Sequence, residues 1–169
     1  MELPGSGLFY ALAALSMAFV SFTSIVVILR QGTGKPPSPL HILLTKAFCE
    51  MGLMATAFAM SAPVLAICGV REDLAWQISS AIILAILVSY LAFYPRRRKG
   101  VAPDEKLPLQ LYIIIIIIII GIFVAAALCM NIVGLPTKPG PGPIAIAAVY
   151  VLSAAIVLFL RTYSSFLRD

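Results

Sequence analysis

The chain has 169 residues, 62% of them hydrophobic and only 11% charged, with a mean hydropathy of +1.06 and a formal charge of +5. A soluble domain is about half apolar and a quarter charged, so this chain has too few charges to cover a water-facing surface. Its basic residues cluster at the ends of apolar runs, which is a membrane-orientation pattern and not the basic, aromatic-interleaved surface of a nucleic-acid binder.

The first apolar run is Gly7 to Leu29. Glu2 is the only charged side chain before it, so there is no basic region of the kind that begins a cleavable signal peptide, and the run is expected to stay in the protein. Phe9 and Tyr10 are placed at one membrane interface, Ala14 and Ala18 on a small-residue face. Gly32 and Gly34 are expected to end this helix. Gly32-Thr33-Gly34-Lys35 is not a phosphate loop, because Pro36 stands where a magnesium-binding Ser or Thr is needed.

The second run, Leu40 to Gly69, begins behind Pro36-Pro37-Ser38-Pro39, with Ser38 as a cap and Pro39 at the first helical position. It alone carries ionisable residues well inside the span, Lys46 and Glu50. An intramembrane carboxylate is costly and is expected to face the bundle interior or water. Two readings follow: a proton- or cation-binding carboxylate in a pathway, or a buried carboxyl, neutral or paired with Lys46 four residues earlier, that hydrogen-bonds a neighbouring helix and fixes packing. Thr45, Thr56 and Ser61 complete the candidate polar site, with Cys49, Gly52 and Ala57 on the same expected interior face. Pro63 removes a backbone bond to Ala59 and is the candidate hinge.

The third run is Leu74 to Tyr94, capped by Asp73 and closed at Tyr94-Pro95 because the residue before proline is pushed out of the helical region. Ala81, Ala85 and Ser89 give it a small-residue face, and Trp76 is placed at the interface. Arg96, Arg97, Arg98 and Lys99 follow at once, as a topology and lipid-headgroup cluster. The fourth run, Leu109 to Gly134, contains eight isoleucines, Ile113 to Ile120, which lipid forces into a helix because an open strand would leave its backbone unpaired. The fifth is Pro143 to Tyr163, joined to the fourth by a short, proline-rich turn. Gln77 and Asn131 near helix ends are expected to make interfacial hydrogen bonds.

Each run reaches the about 20 residues that cross a bilayer. The fold expected is an all-α membrane protein, a five-transmembrane-helix bundle in one domain. Ten of the twelve basic residues fall on one side, leaving only Arg71 and Lys138 on the other. This predicts an N-terminus outside and a C-terminus in the cytoplasm. Cys49, Cys68 and Cys129 form no CxxC and are expected as small buried hydrophobes, with a Cys68–Cys129 disulfide as an alternative for two of them. One histidine and no catalytic constellation point away from an enzyme and from any cofactor or metal.

The segments Val26-Val-Ile-Leu-Arg-Gln-Gly-Thr-Gly-Lys35, Pro37-Ser-Pro-Leu40, Glu50-Met-Gly-Leu53 and Ala75-Trp-Gln-Ile-Ser-Ser80 resemble a group of small uncharacterised multi-pass membrane proteins of bacteria. The resemblance covers the first half of the chain, implies a bacterial inner-membrane location and an acid before Gly-Leu in the second helix, and implies no activity. The function expected is helix association, as a homo-oligomer or an accessory subunit of a membrane complex, with the lipid bilayer and another membrane protein or a second copy as partners. The alternative is a channel or transporter for a proton, cation or small solute, using Glu50.

Overall fold

The computed structural model describes residues 3, 5–31, 39–101, 108–135 and 138–166. Five helices follow in order: α1 (Ser6–Gln31), α2 (Pro39–Ile67), α3 (Glu72–Val101), α4 (Pro108–Val133) and α5 (Gly142–Phe166). All five are long and apolar enough to cross a membrane. Their exposed surface is itself apolar, with Ile116, Ile119, Ile122 and Phe123 of α4 all open. That inversion belongs to a protein whose outer solvent is lipid.

Helices α2 to α5 form a ring in which α2 lies against both α3 and α5 and α4 closes on α3 and α5; α1 leans on the outside against α2 and α5. Association in lipid gains little from the hydrophobic effect, so close approach must come from small residues and interhelical hydrogen bonds. Both devices are present. A Cβ on Gly52 would overlap the Val20 methyl of α1, so glycine sets the α1–α2 distance. A Cβ on Gly121 would sit 2.8 Å from the Tyr150 hydroxyl. The space it vacates lets that hydroxyl donate to the Ile117 carbonyl at 2.8 Å, tying α5 to α4.

The turns follow from glycine chemistry. Gly69 and Gly134 have φ of 84° and 73°, the left-handed conformation that ends α2 and α4. Val70 N–H donates to the Leu65 carbonyl at 3.1 Å and Leu135 N–H to that of Met130 at 3.1 Å, the six-to-one bonds of a Schellman cap. Glu72 and Asp73 lie in the first turn of α3, facing its positive dipole end; the capping position is Arg71, whose carbonyl accepts from Ala75 N–H.

Several expectations need correction. Helix α3 does not stop at Tyr94: it runs through Pro95 to Val101, so Arg96, Arg97, Arg98 and Lys99 are helical. The pre-proline bias is modest, and the turn beyond it is held by tertiary contacts of Arg97 and by Arg96 lying 5.9 Å over the Phe93 ring. Phe9 and Trp76 turn inward: both are fully buried between helices near one end of the bundle, with ring centroids 5.7 Å apart. Cys68 and Cys129 are exposed and free, not buried or bridged, and Cys49 is half-buried. The buried face of α2 is Ala47, Phe48, Ala55, Phe58, Ala59 and Ala62, while Ala57 is exposed. The expected stops at Gly32 and Gly34, the Ser38 cap and Lys35 lie outside the described residues.

Candidate functional site at the basic end of the bundle

The C-terminal ends of α1, α3 and α5 meet the N-terminal ends of α2 and α4, and an aromatic cluster marks the junction: Phe159 of α5 lies edge-on to Phe19 of α1 at 5.8 Å and to Phe48 of α2 at 5.7 Å. Lys46, Arg96 and Arg97 belong to this basic end.

Glu50 is ion-paired with Arg97 and not with Lys46, the partner its spacing suggests. Arg97 Nη1 donates to both carboxylate oxygens, at 2.9 and 3.2 Å. Helix geometry explains the pairing. A helical side chain leans toward its own N-terminus. In the antiparallel α2–α3 hairpin, Glu50 therefore leans toward the basic end and Arg97 leans back toward the middle of the span. The two cover the distance between them from opposite directions. Glu50 lies five residues beyond Thr45, where the apolar window of α2 begins, and Arg97 three beyond Tyr94, where that of α3 ends. The pair thus straddles the edge of the apolar layer, with side-chain exposures of 29% and 51%.

Tyr90 and Tyr94 stack beside it, with ring centroids 6.0 Å apart. The Tyr90 hydroxyl is buried and has no hydrogen-bond partner among the described residues. A cavity of about 280 Å³ is lined by Lys46, Glu50, Tyr90, Tyr94 and Arg97 together with Leu43 and Ala47. It adjoins a groove of about 600 Å³ that runs from Arg97, Tyr94 and Tyr90 past Phe93 and Ser89 to Ala85, Ile86 and Met54.

The other candidates separate from this cluster. Thr56 donates to the Gly52 carbonyl at 3.1 Å and Ser61 to that of Phe58 at 2.8 Å, so both hydroxyls are satisfied on their own helix. Thr45 is half-buried one turn before Cys49, whose thiol meets the hydroxyls of Ser24 and Thr23 of α1. Pro63 is buried inside α2, four residues before its end, far from Glu50 along the helix. For Arg98 and Lys99 the backbone is described and the side chains are not.

A second polar cluster, at the opposite end, was underestimated by sequence. Asn131 is buried, and its amide nitrogen donates to Ser80 Oγ at 2.8 Å and to the Gly140 carbonyl at 3.2 Å. Its amide oxygen accepts from Gly140 N–H at 2.9 Å. Gln77 adds a bond from its amide nitrogen to the Ile132 carbonyl at 3.1 Å. Asn131 uses both its amide groups here and acts as a clamp on the α4–α5 turn.

Fold and site together define a five-helix bundle of membrane-spanning length with a charged, cavity-forming cluster at its basic end. No family model, no curated protein and no solved structure matches this chain.

Proposed function

We propose that the protein acts by helix association in the bilayer, as a homo-oligomer or as an accessory subunit of a membrane complex, with the outer face of α1 as its contact surface. The observation that carries this reading is a stripe of small residues on that face. Gly7, Ala11, Ala14, Ala18 and Ser21 recur at alternating spacings of four and three, and all five are exposed. Phe9, Ala13, Ser16 and Thr23, two positions on in the same rhythm, are buried against the bundle. A helix turns about 100° per residue, so the stripe lies nearly opposite the buried face. Lipid does not ask for small residues: the outer face of α4 is Ile116, Ile119, Ile122 and Phe123. A second helix does, because small side chains let two backbones approach closely.

The positive-inside distribution supports an N-terminus outside and a C-terminus in the cytoplasm, and a bacterial inner membrane is the location we infer with it. The role is non-catalytic, and the partners are the bilayer and either a second copy or another membrane protein. The test is subunit counting in liposomes, together with co-purification in mild detergent, for the wild type and for an Ala14→Ile, Ala18→Ile variant. The variant is expected to lose its oligomer or partner while keeping its helical content. A wild type that is monomeric and partnerless under both conditions removes the proposal.

A second reading draws on the cavity beside Glu50: passage of a proton, cation or small solute with Glu50 as the binding carboxylate. Glu50→Gln is then expected to abolish flux into proteoliposomes, and no flux from the wild type under any imposed gradient removes this reading.

A further inference from the structure

The groove between α2 and α3 changes character along its length. Its far end is lined by Met54, Ala85 and Ile86, and its near end by Ser89, Tyr90, Phe93, Tyr94 and Arg97. The change begins at Ser89, in the last turns of the apolar span of α3, and is complete at Arg97, just past its end at Tyr94. A membrane lipid has the same sequence of chemistry at the same depth: acyl chain, ester region, phosphate.

The charges at the near end are unbalanced. Lys46 and Arg97 face one carboxylate, Glu50, around the smaller cavity. Both bonds to Glu50 come from Arg97 Nη1, so this contact leaves Nη2 and Nε to other acceptors. The carboxylate is occupied by a fixed cation and is poorly placed to hold the ammonium of a zwitterionic headgroup. Lys46 is exposed and provides the net positive charge. Tyr90 lines both spaces, and its hydroxyl is buried beside them with no partner among the described residues. A buried donor in an apolar layer is costly unless an acceptor reaches it.

We infer that this groove seats one anionic phospholipid, its phosphate held by Lys46, Arg97 and the Tyr90 hydroxyl and one acyl chain lying along Met54, Ala85 and Ile86. The surface is distinct from the outer face of α1, so the site stands or falls independently of the association proposed above. It also differs from the diffuse attraction that any basic cluster exerts on an anionic leaflet. Diffuse attraction decays within a Debye length and is screened by salt, whereas a seated lipid with its chain in a groove is screened much less.

The test is native mass spectrometry of the full-length protein, equilibrated with equimolar phosphatidylglycerol and phosphatidylcholine of identical acyl chains, at low salt and after a wash in 0.5 M salt, a concentration at which the Debye length is only about 4 Å. One phosphatidylglycerol is expected to remain after the wash, enriched at least about tenfold over phosphatidylcholine, a difference of about 1.4 kcal/mol. Lys46→Gln is expected to reduce that enrichment severalfold by removing the net charge. Ser89→Leu is expected to lower retention of either lipid by filling the groove. Both positions are exposed, so neither change should disturb the fold, and circular dichroism checks this. Arg96→Gln, outside the cavity lining, is expected to leave the single bound lipid in place. Equal retention of the two lipids, wild-type retention by both Lys46→Gln and Ser89→Leu, or several lipids that all wash away with salt would each overturn the assignment.

Discussion

Replacing Arg97 by Gln, Glu50 by Gln, and both together tests whether the ion pair is a structural tie between α2 and α3. The two singles should differ. Arg97→Gln leaves the Glu50 carboxylate five residues inside the apolar window of α2 with its bonding partner gone. Removing one partner of a hydrogen-bonded charge costs more than the pair itself contributes, because the remaining charge is stranded. Glu50→Gln leaves Arg97 just past the end of the apolar window of α3, from where its long side chain can reach water. The magnitude is bounded from two sides. Exposed ion pairs contribute about 0.2–1 kcal/mol. Hydrogen bonds to charged groups contribute about 1.5–3 kcal/mol. With Arg97 half exposed and Glu50 less so, we expect about 2–3 kcal/mol for Arg97→Gln, at most about 1 kcal/mol for Glu50→Gln, and a coupling of about 1–2 kcal/mol. The double variant should therefore be more stable than Arg97→Gln alone. Unfolding in mixed micelles, followed by circular dichroism, measures all four proteins. Additivity within about 0.5 kcal/mol, or a larger loss for Glu50→Gln than for Arg97→Gln, would refute the reasoning.

The clamp at the opposite end predicts that Asn131→Leu destabilises the protein by about 2–3 kcal/mol, since three hydrogen bonds are lost at about 0.6–1.5 kcal/mol each, and that Ser80→Ala, which removes one of them, costs under half as much in the same unfolding assay. Gly52→Ala should destabilise by about 1–2 kcal/mol even though alanine is the better helix former by about 1 kcal/mol, because the new methyl overlaps Val20; Val20→Ala on the same background should recover most of the loss. Cys68 is exposed in the turn after α2, whereas Cys129 lies within the apolar window of α4. A membrane-impermeant maleimide added to intact bacterial cells should label Cys68 and spare Cys129 if the N-terminus is outside, and labelling of Cys68 only after the cells are broken would reverse the orientation.

The five helices were legible because lipid leaves a chain few options: a run of about 20 apolar residues has to be helical, and the glycines and prolines that punctuate such runs act locally. Pro39, Pro108 and Gly134 stand where their chemistry predicts. What resisted was anything set between helices. Phe9 and Trp76 read as helix-end aromatics by position along the chain, but that they pack on one another between helices is not written in their spacing. The Glu50–Arg97 pair was half legible. Counting outward from the facing helix ends, Ile67 and Glu72, places Glu50 opposite Ser89, eight residues short of Arg97. Adding the lean of helical side chains toward their own N-termini brings Arg97 back within reach. The expected stop at Pro95 hid this, because an arginine in a loop has no fixed direction. Asn131 gave less warning, since Gly140 is brought beside it only by the fold of the α4–α5 turn.

The contacts that hold the bundle also bear on what its surface is for. Inside, the places where helices meet most closely are made by absence or by polarity: Gly52 against Val20, Gly121 against Tyr150, Asn131 against Ser80 and Gly140. Bulky aliphatic residues, the isoleucines of α4 above all, are turned outward. The closest approaches therefore use small or polar residues, while Ile83, Leu87, Leu128 and Ile144 fill the rest of the core and Ala81, Ala85 and Ser89 of α3 stay exposed. On the outer face of α1, Gly7, Ala11, Ala14, Ala18 and Ser21 form an exposed run of small residues at helical spacing that no helix contact among the described residues uses. A second helix lying on that face would use it. Because α1 stands outside the ring formed by α2 to α5, such a helix could dock without disturbing either the Glu50–Arg97 pair or the Asn131 clamp. Loss of association in the Ala14→Ile, Ala18→Ile variant with unfolding stability unchanged is the combination this reasoning requires; a parallel loss of stability would instead mean that the stripe serves the monomer.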